Sequence, residues 1–315
     1  MSEGCEHCYA ERMARRQRAM GTRGYENVVN PDGTWTGHTA MRQHVLNAPL
    51  HWRKPRRIFV CSMGDLFHET VPDEWIDKVM AVAALRPQHT FLVLSKRPER
   101  MASYFSRGPS DMATGERGWL DAINDASMDI VSAPVFPSLK YGMIHGVPWP
   151  LPNIHLGVTA ENQEQADTRI PILLQIPAAV RFVSVEPMLG PVDLKQWFSE
   201  LLGTFVQVPQ SEADLHCYPQ EVHARADGID HVICGGESGP GARPMHPDWV
   251  RSLRDQCVQS GTPFLFKQWG AWIHESQYTG GEFEDVDWER KKVGKKAAGR
   301  ILDGRTWDQY PEVTV

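Results

Sequence analysis

Two thiols open the chain. Cys5 and Cys8 lie in Gly4-Cys5-Glu6-His7-Cys8-Tyr9-Ala10-Glu11, which runs directly into a helical pattern. Thiolates at C-x-x-C spacing can grip one metal centre, and cysteine is the usual ligand of iron–sulfur clusters. Zinc would want two further Cys or His ligands, and no second close pair exists. His7, inside the pair, is poorly placed to be a co-ligand. Thioredoxin-like exchange fits badly, because that motif follows a βα turn and only four residues precede Cys5. The pair therefore points to a metal or iron–sulfur site on a loop that feeds a first helix.

A second set of reactive groups follows short apolar runs. The runs are Ile58-Phe59-Val60-Cys61, Phe91-Leu92-Val93-Leu94, Ile154-His155-Leu156-Gly157-Val158, Val180 to Val185, His231-Val232-Ile233-Cys234 and Phe264-Leu265-Phe266. After them come, in order, Ser62, Asp65 and His68; Ser95, Lys96 and Arg97; Thr159, Glu161 and Asn162; Ser184 and Glu186; Gly235, Gly236, Glu237 and Ser238; and Lys267 with Gln268. Such residues can simply cap helices and satisfy loop backbones. Their recurrence after every run favours one ligand-binding rim. Asp65, Lys96, Glu161 and Lys267 are the candidates for acid–base or charge-stabilising work. Glu186, Glu237 and Ser184 can accept hydrogen bonds from a ribose or amino group. Gly235-Gly236 would let backbone approach a ligand closely. This stretch does not match the dinucleotide fingerprint, so no nicotinamide or flavin reading follows.

Elements must hold these groups together. Helical periodicity between the runs places Trp75, Ile76, Val79, Met80 and Ala83 on one face after Pro72. A second helix starts at Pro247 and buries Val250, Leu253 and Cys257. Strands alternating with helices predict an α/β protein with a parallel sheet and right-handed crossovers. A doubly wound sheet and a barrel both remain open; a partial or full (β/α) TIM-like barrel is preferred, because every strand ends in a polar cluster and no glycine-rich phosphate loop marks a switch point. The barrel is expected over residues 1–270, with insertions at about 106–152 and 199–228. A charged C-terminal extension over 271–315 is expected to be loop-like. Cys257 is expected in the core, and Cys61 and Cys234, near strand ends, are expected in the core or approaching the rim.

The 315 residues can bury a sizeable core, and 41% hydrophobic with 23% charged residues is ordinary for a globular protein. No apolar run approaches the ~18 residues that cross a bilayer, and the polar N-terminus is no export signal. A cytoplasmic protein without a disulfide framework is expected from its six cysteines. The net charge of −6 argues against a surface built throughout for nucleic acid. Local basic clusters at Arg12–Arg18, Arg53–Arg57 and Arg290–Lys296 read more simply as solvated faces than as a phosphate-tracking groove.

Several segments together resemble a known family. They are Ser2 to Glu11, Cys61-Ser62-Met63-Gly64-Asp65-Leu66-Phe67-His68-Glu69, Leu94-Ser95-Lys96-Arg97-Pro98, Asn153 to Glu161, Arg181 to Pro187, Gly235 to Pro244, Phe266-Lys267-Gln268-Trp269-Gly270 and Gly294 to Arg300. The chain resembles the phage and prophage gene-product thirty-seven / sixty-eight family of unknown function, which is similar to radical S-adenosylmethionine (SAM) enzymes and distantly to spore photoproduct lyases. That resemblance implies a [4Fe–4S] cluster held by three cysteines, with SAM on the fourth iron and an electron donor that starts radical chemistry. Cys5 and Cys8 would be the last two cluster cysteines, with Tyr9 in the adjoining aromatic position. Glu186, Ser184 and Gly235–Ser238 become candidate SAM contacts. The family carries a further cysteine upstream, on a segment that would also supply the first strand. This chain begins at Met1, so a shortened N-terminus is expected. The substrate implied is an unidentified small molecule or nucleic acid, with no membrane. Two other readings compete: a metal-dependent hydrolase or nuclease using Asp65, His68, Glu161, Glu186 and Glu237, and a non-catalytic phage accessory protein binding nucleic acid through the basic clusters.

Overall fold

The apolar runs become six strands, all parallel and paired in sequence order. In a computed structural model, residues 2–108, 118–132, 150–199, 228–277 and 290–311 are described. The strands are β1 (Arg57–Val60), β2 (Thr90–Ser95), β3 (Ile154–Thr159), β4 (Val180–Val185), β5 (His231–Gly235) and β6 (Phe264–Gln268). Their order β1-β2-β3-β4-β5-β6 makes a curled half-barrel flanked by helices, a partial TIM-like barrel. Sequential order with parallel pairing requires a crossover after each strand, and the helices supply most of them.

The helices are α1 (Tyr9–Ala19), the short α2 (Gln43–Leu46), α3 (Asp73–Ala84), α4 (Pro98–Phe105), α5 (Trp119–Val131), α6 (Gln163–Leu174), α7 (Pro247–Ser260) and the short α8 (Lys295–Ala298). The predicted stripes of α3 and α7 are observed: Ile76, Met80, Val250, Leu253 and Cys257 are buried. Asn162 caps α6 by accepting from the Gln165 N–H, and α7 begins with Pro247 behind His246.

Strand residues alternate between two unequal cores. One face packs on the helices through Val93, Leu156, Val158, Val183, Val185, Val232, Phe264 and Phe266. The other carries Leu92, Phe182, Ile233 and Leu265, with Leu94 and Tyr310 packed against them. This second face lines the half-barrel lumen. Gly157 sits beside Phe182 in register, and a Cβ there would lie 2.5 Å from the Phe182 ring. The missing side chain is what lets Phe182 fill the lumen.

Three expectations change. Within 106–152, residues 119–131 form α5, whose Trp119, Leu120 and Ile123 are buried against α3; their apolar spacing outweighs the turn-rich flanks, which lie outside the described residues. The stretch expected as an insertion at 199–228 falls almost wholly outside them too, as does Cys217. Past residue 270 the chain is not merely loop-like. It forms an antiparallel hairpin of β7 (Trp272–His274) and β8 (Arg290–Lys292), then returns to β6. There Trp307 and Gln309 exchange backbone bonds with Phe266 and Phe264. Buried Ile273, Ala298 and Leu302 tie this segment to the main core despite its charge. Finally, Cys234 and Cys257 are core residues as expected, but Cys61 is exposed, at positive φ (56°) where β1 ends. The chain turns there, at the end of a strand whose residues are themselves exposed or half-buried.

Candidate functional site at the half-barrel mouth

The N-terminal loop lies across the C-terminal ends of the strands. Lys96 Nζ, just past β2, is 3.0 Å from Ser2 Oγ, 3.5 Å from Cys5 Sγ and 3.2 Å from Glu161 Oε1. Gly4 is pressed onto the same pair, since a Cβ there would lie 3.0 Å from Glu161 Oε1 and 3.1 Å from Lys96 Nζ. Burial works against the Cys5 thiolate, but the Lys96 charge and Ser2 hydrogen bonds hold its pKa below the usual value. This is the setting in which a thiol becomes a good metal ligand or nucleophile.

Glu161 is completely buried, and Arg169 of α6 donates to its other oxygen at 2.9 Å. Burial pushes its carboxyl pKa up, but Lys96, the Ser2 hydroxyl and Arg169 together hold it below the ordinary range. Arg169 itself also donates to the Thr159 carbonyl. The carboxylate thus carries two cations at the end of β3.

The other flank is built from β4, β5 and β6. Glu186 Oε2 accepts from Ser184 Oγ at 3.3 Å and from Lys267 Nζ at 3.3 Å. A Cβ on Gly235 would lie 2.5 Å from Glu186 Oε1, so the glycine makes room for that carboxylate. Tyr9 donates its hydroxyl to the Ser62 carbonyl, and burial raises its pKa. The charges of Lys267, Cys8 and Glu186 all act on that phenol.

Two predicted residues hold structure and nothing else in view. Asp65 accepts from Ser95 Oγ, the Phe67 and Lys96 N–H groups and Arg97 Nη1, which fills its acceptor capacity. Glu237 accepts from the Arg243 N–H, Nε and Nη2 at 2.8–2.9 Å. Burial raises its pKa, but these bonds hold it below the ordinary range. Arg243 then reaches the Glu3 carbonyl and the Glu6 carboxylate, clamping the thiol loop onto the mouth. The Gly236 gap is taken by protein: a Cβ would sit 1.9 Å from the Trp269 carbonyl oxygen. Ser238 is half-buried beside this clamp.

The rim therefore gathers Cys5, Cys8, Tyr9, Lys96, Glu161, Ser184, Glu186 and Lys267, with Asp65, Gly235, Gly236 and Glu237 as their supports. It does not gather Asp65, His68, Glu161, Glu186 and Glu237 into one cluster. Asp65 is tied to Arg97, His68 to Thr70 and Glu69, and each glutamate to its own cation. Among the described residues, no three His, Cys, Asp or Glu side chains are grouped to hold a metal ion. The basic clusters lie on separate elements. Ser2, Gly4, Arg169 and Arg243 received no role from the sequence. A signal existed for one of them: Arg169 interrupts the buried Ala166, Ile170 and Leu173 stripe of α6.

Residues 1–311 match a family described as a protein of unknown function, DUF5131. The chain belongs to this family. No curated protein and no solved structure matches the chain. Among the described residues, no helix is long and apolar enough to cross a membrane.

Proposed function

We propose that members of this family with this mouth are iron–sulfur enzymes that use SAM to begin radical chemistry on a small-molecule or nucleic-acid substrate. One observation supports the reading above the others: Arg243 clamps the thiol loop over the strand ends, with Cys5 beside Lys96. The donor chemistry suits a cluster, because both thiols are half-buried and Cys5 is biased toward the thiolate. The donor number is short by one, since a SAM-binding [4Fe–4S] cluster takes three protein thiolates and the described residues bring two together. When bound, the cluster supplies the electron that cleaves SAM; the protein supplies binding, orientation and charge.

The chain's own groups have separable tasks in this reading. Lys96 favours the thiolate form of Cys5. Glu161, fixed by Arg169, holds Lys96 in place. Half-buried Glu186 and exposed Lys267 are an acid–base pair that can part to take the ammonium and carboxylate ends of an amino acid, as SAM presents.

Anaerobic iron and sulfide loading tests the proposal. It should be done on the chain as it stands and on a version extended by the in-frame codons before Met1. The extended protein is expected to retain close to four irons, and Cys5→Ser with Cys8→Ser to lose them. Iron retention that ignores both cysteines, or none in either version, would discard the cluster. Retained zinc or manganese with no iron would favour the hydrolytic reading.

A further inference from the structure

The opposite end of the lumen carries a pocket unrelated to the thiols. It measures about 500 Å³, and its lining includes Arg57, Gln88, Thr90, Leu92, His155 and Tyr310. Among the described residues, no acidic side chain lines it. Leu92 and Tyr310 belong to the lumen core, and four prolines add flat apolar wall. Arg57, the first residue of β1, lies with its guanidinium 3.5 Å from the Tyr310 ring centroid. It makes no ion pair with a carboxylate among the described residues, so its charge is uncompensated at the pocket rim.

The buried wall is short of partners too. His155 is 5% exposed, yet its Nε2 meets no hydrogen-bonding group among the described residues. Buried polar groups are nearly always matched by protein or water, so an unmatched nitrogen in a pocket wall marks a place where something else completes the set. Behind the wall, His231 gives its Nε2–H to the Gln309 carbonyl and packs on Tyr310, 5.3 Å between ring centroids. Burial holds both imidazoles neutral, with pKa values near 4, helped by the nearby Arg57 charge. Neutral His155 can donate one N–H to an anion without adding a competing cation.

We propose that this lower pocket binds a small organic anion of mononucleotide size, with a phosphate or carboxylate head on Arg57 and a flat apolar body against Leu92, Tyr310 and the prolines. The volume is that of an ordinary small-ligand site. Gln88 and Thr90 provide further polar contacts at the rim, and His155 lies beneath them. Because the pocket sits at the N-terminal ends of the strands, it can be filled while the mouth is free, and the proposal does not depend on iron or SAM.

The test uses the full chain, without cluster loading, and histidine ¹⁵N resonances as a local readout. Adenosine 5′-monophosphate and benzoate are titrated separately, with adenosine, benzyl alcohol and inorganic phosphate as controls. The expected result is saturable movement of the His155 ring signals with at least one of the two organic anions, at least tenfold weaker with its neutral counterpart. Arg57→Gln should weaken that binding at least tenfold with thermal stability kept, whereas Lys96→Met at the mouth should leave it unchanged. A response to the monophosphate alone assigns a phosphate head, and one to benzoate alone a carboxylate head. Ring signals that stay still for both anions, that move equally with the neutral controls, or that respond unchanged in Arg57→Gln would overturn the proposal.

Discussion

The two ends of the lumen treat charge in opposite ways. At the mouth, Glu161 meets Lys96 and Arg169, Glu186 meets Lys267, Asp65 meets Arg97 and Glu237 meets Arg243. Below, among the described residues, Arg57 makes no ion pair with a carboxylate and His155 keeps an unmatched Nε2. A ligand at the mouth must therefore exchange places with an existing ion pair, which selects for molecules carrying both charges. A ligand below adds to what is missing, which selects for a single anion. The same six strands thus present two different chemistries because of what fills each end, not because of their own regularity.

Breaking the mouth pair that is most deeply buried should have the largest effect. Glu161→Ala leaves Arg169 and Lys96 without their carboxylate in a site where Glu161 is fully buried, and is expected to cost about 3–5 kcal/mol in urea unfolding. Glu161→Gln should recover part of that loss. A cost below ~1 kcal/mol would show that water already screens the pair.

The lower end should show itself through acid. In the unfolded chain the imidazoles take up protons near 6.5, but folded His155 and His231 do so only near 4. Their contribution is therefore complete above pH 6.5 and is lost as pH falls toward 4, by up to ~3 kcal/mol each. Replacing both by Gln should flatten the fall in urea stability between pH 6.5 and 5, a range above most carboxylate titration. An unchanged slope would mean that the rings are not held neutral.

Between the two ends lies Phe182. Gly157→Val would force its side chain against that ring and is expected to cost about 1–3 kcal/mol in thermal unfolding. Pairing it with Phe182→Leu should restore part of the loss, because the clash partner shrinks. The smallest effect concerns Cys5. Without the Lys96 charge its thiol pKa should rise, so Lys96→Met is expected to slow Cys5 alkylation by iodoacetamide a few-fold at neutral pH. Equal rates would separate Lys96 from the thiol.

Much of the frame was legible in the order of residues. Six apolar runs become six parallel strands because each is bounded by turn residues and followed by helical spacing. The polar groups after them reach one rim because parallel strands all end on the same side. What stayed hidden is partnership across long separations. Arg243 clamping Glu3 and Glu6, Lys96 meeting Ser2 and Cys5, and Tyr310 covering Arg57 and His231 depend on how the sheet curls, which no local pattern records. The glycines at 235 and 236 were noticed for the right property, close approach, but their neighbours are Glu186 and the Trp269 carbonyl. Charge along 271–315 concealed the few apolar anchors that dock the chain end on β6.

The account rests on thiols acting over the paired charges of the mouth. Formation of 5′-deoxyadenosine from SAM, under anaerobic reducing conditions after iron and sulfide loading of the N-terminally extended protein, tests that directly. Product is expected from the parent and from Arg57→Gln, and none from Cys5→Ser with Cys8→Ser. An iron-loaded parent that leaves SAM intact, or a double cysteine variant that cleaves it equally well, would contradict it.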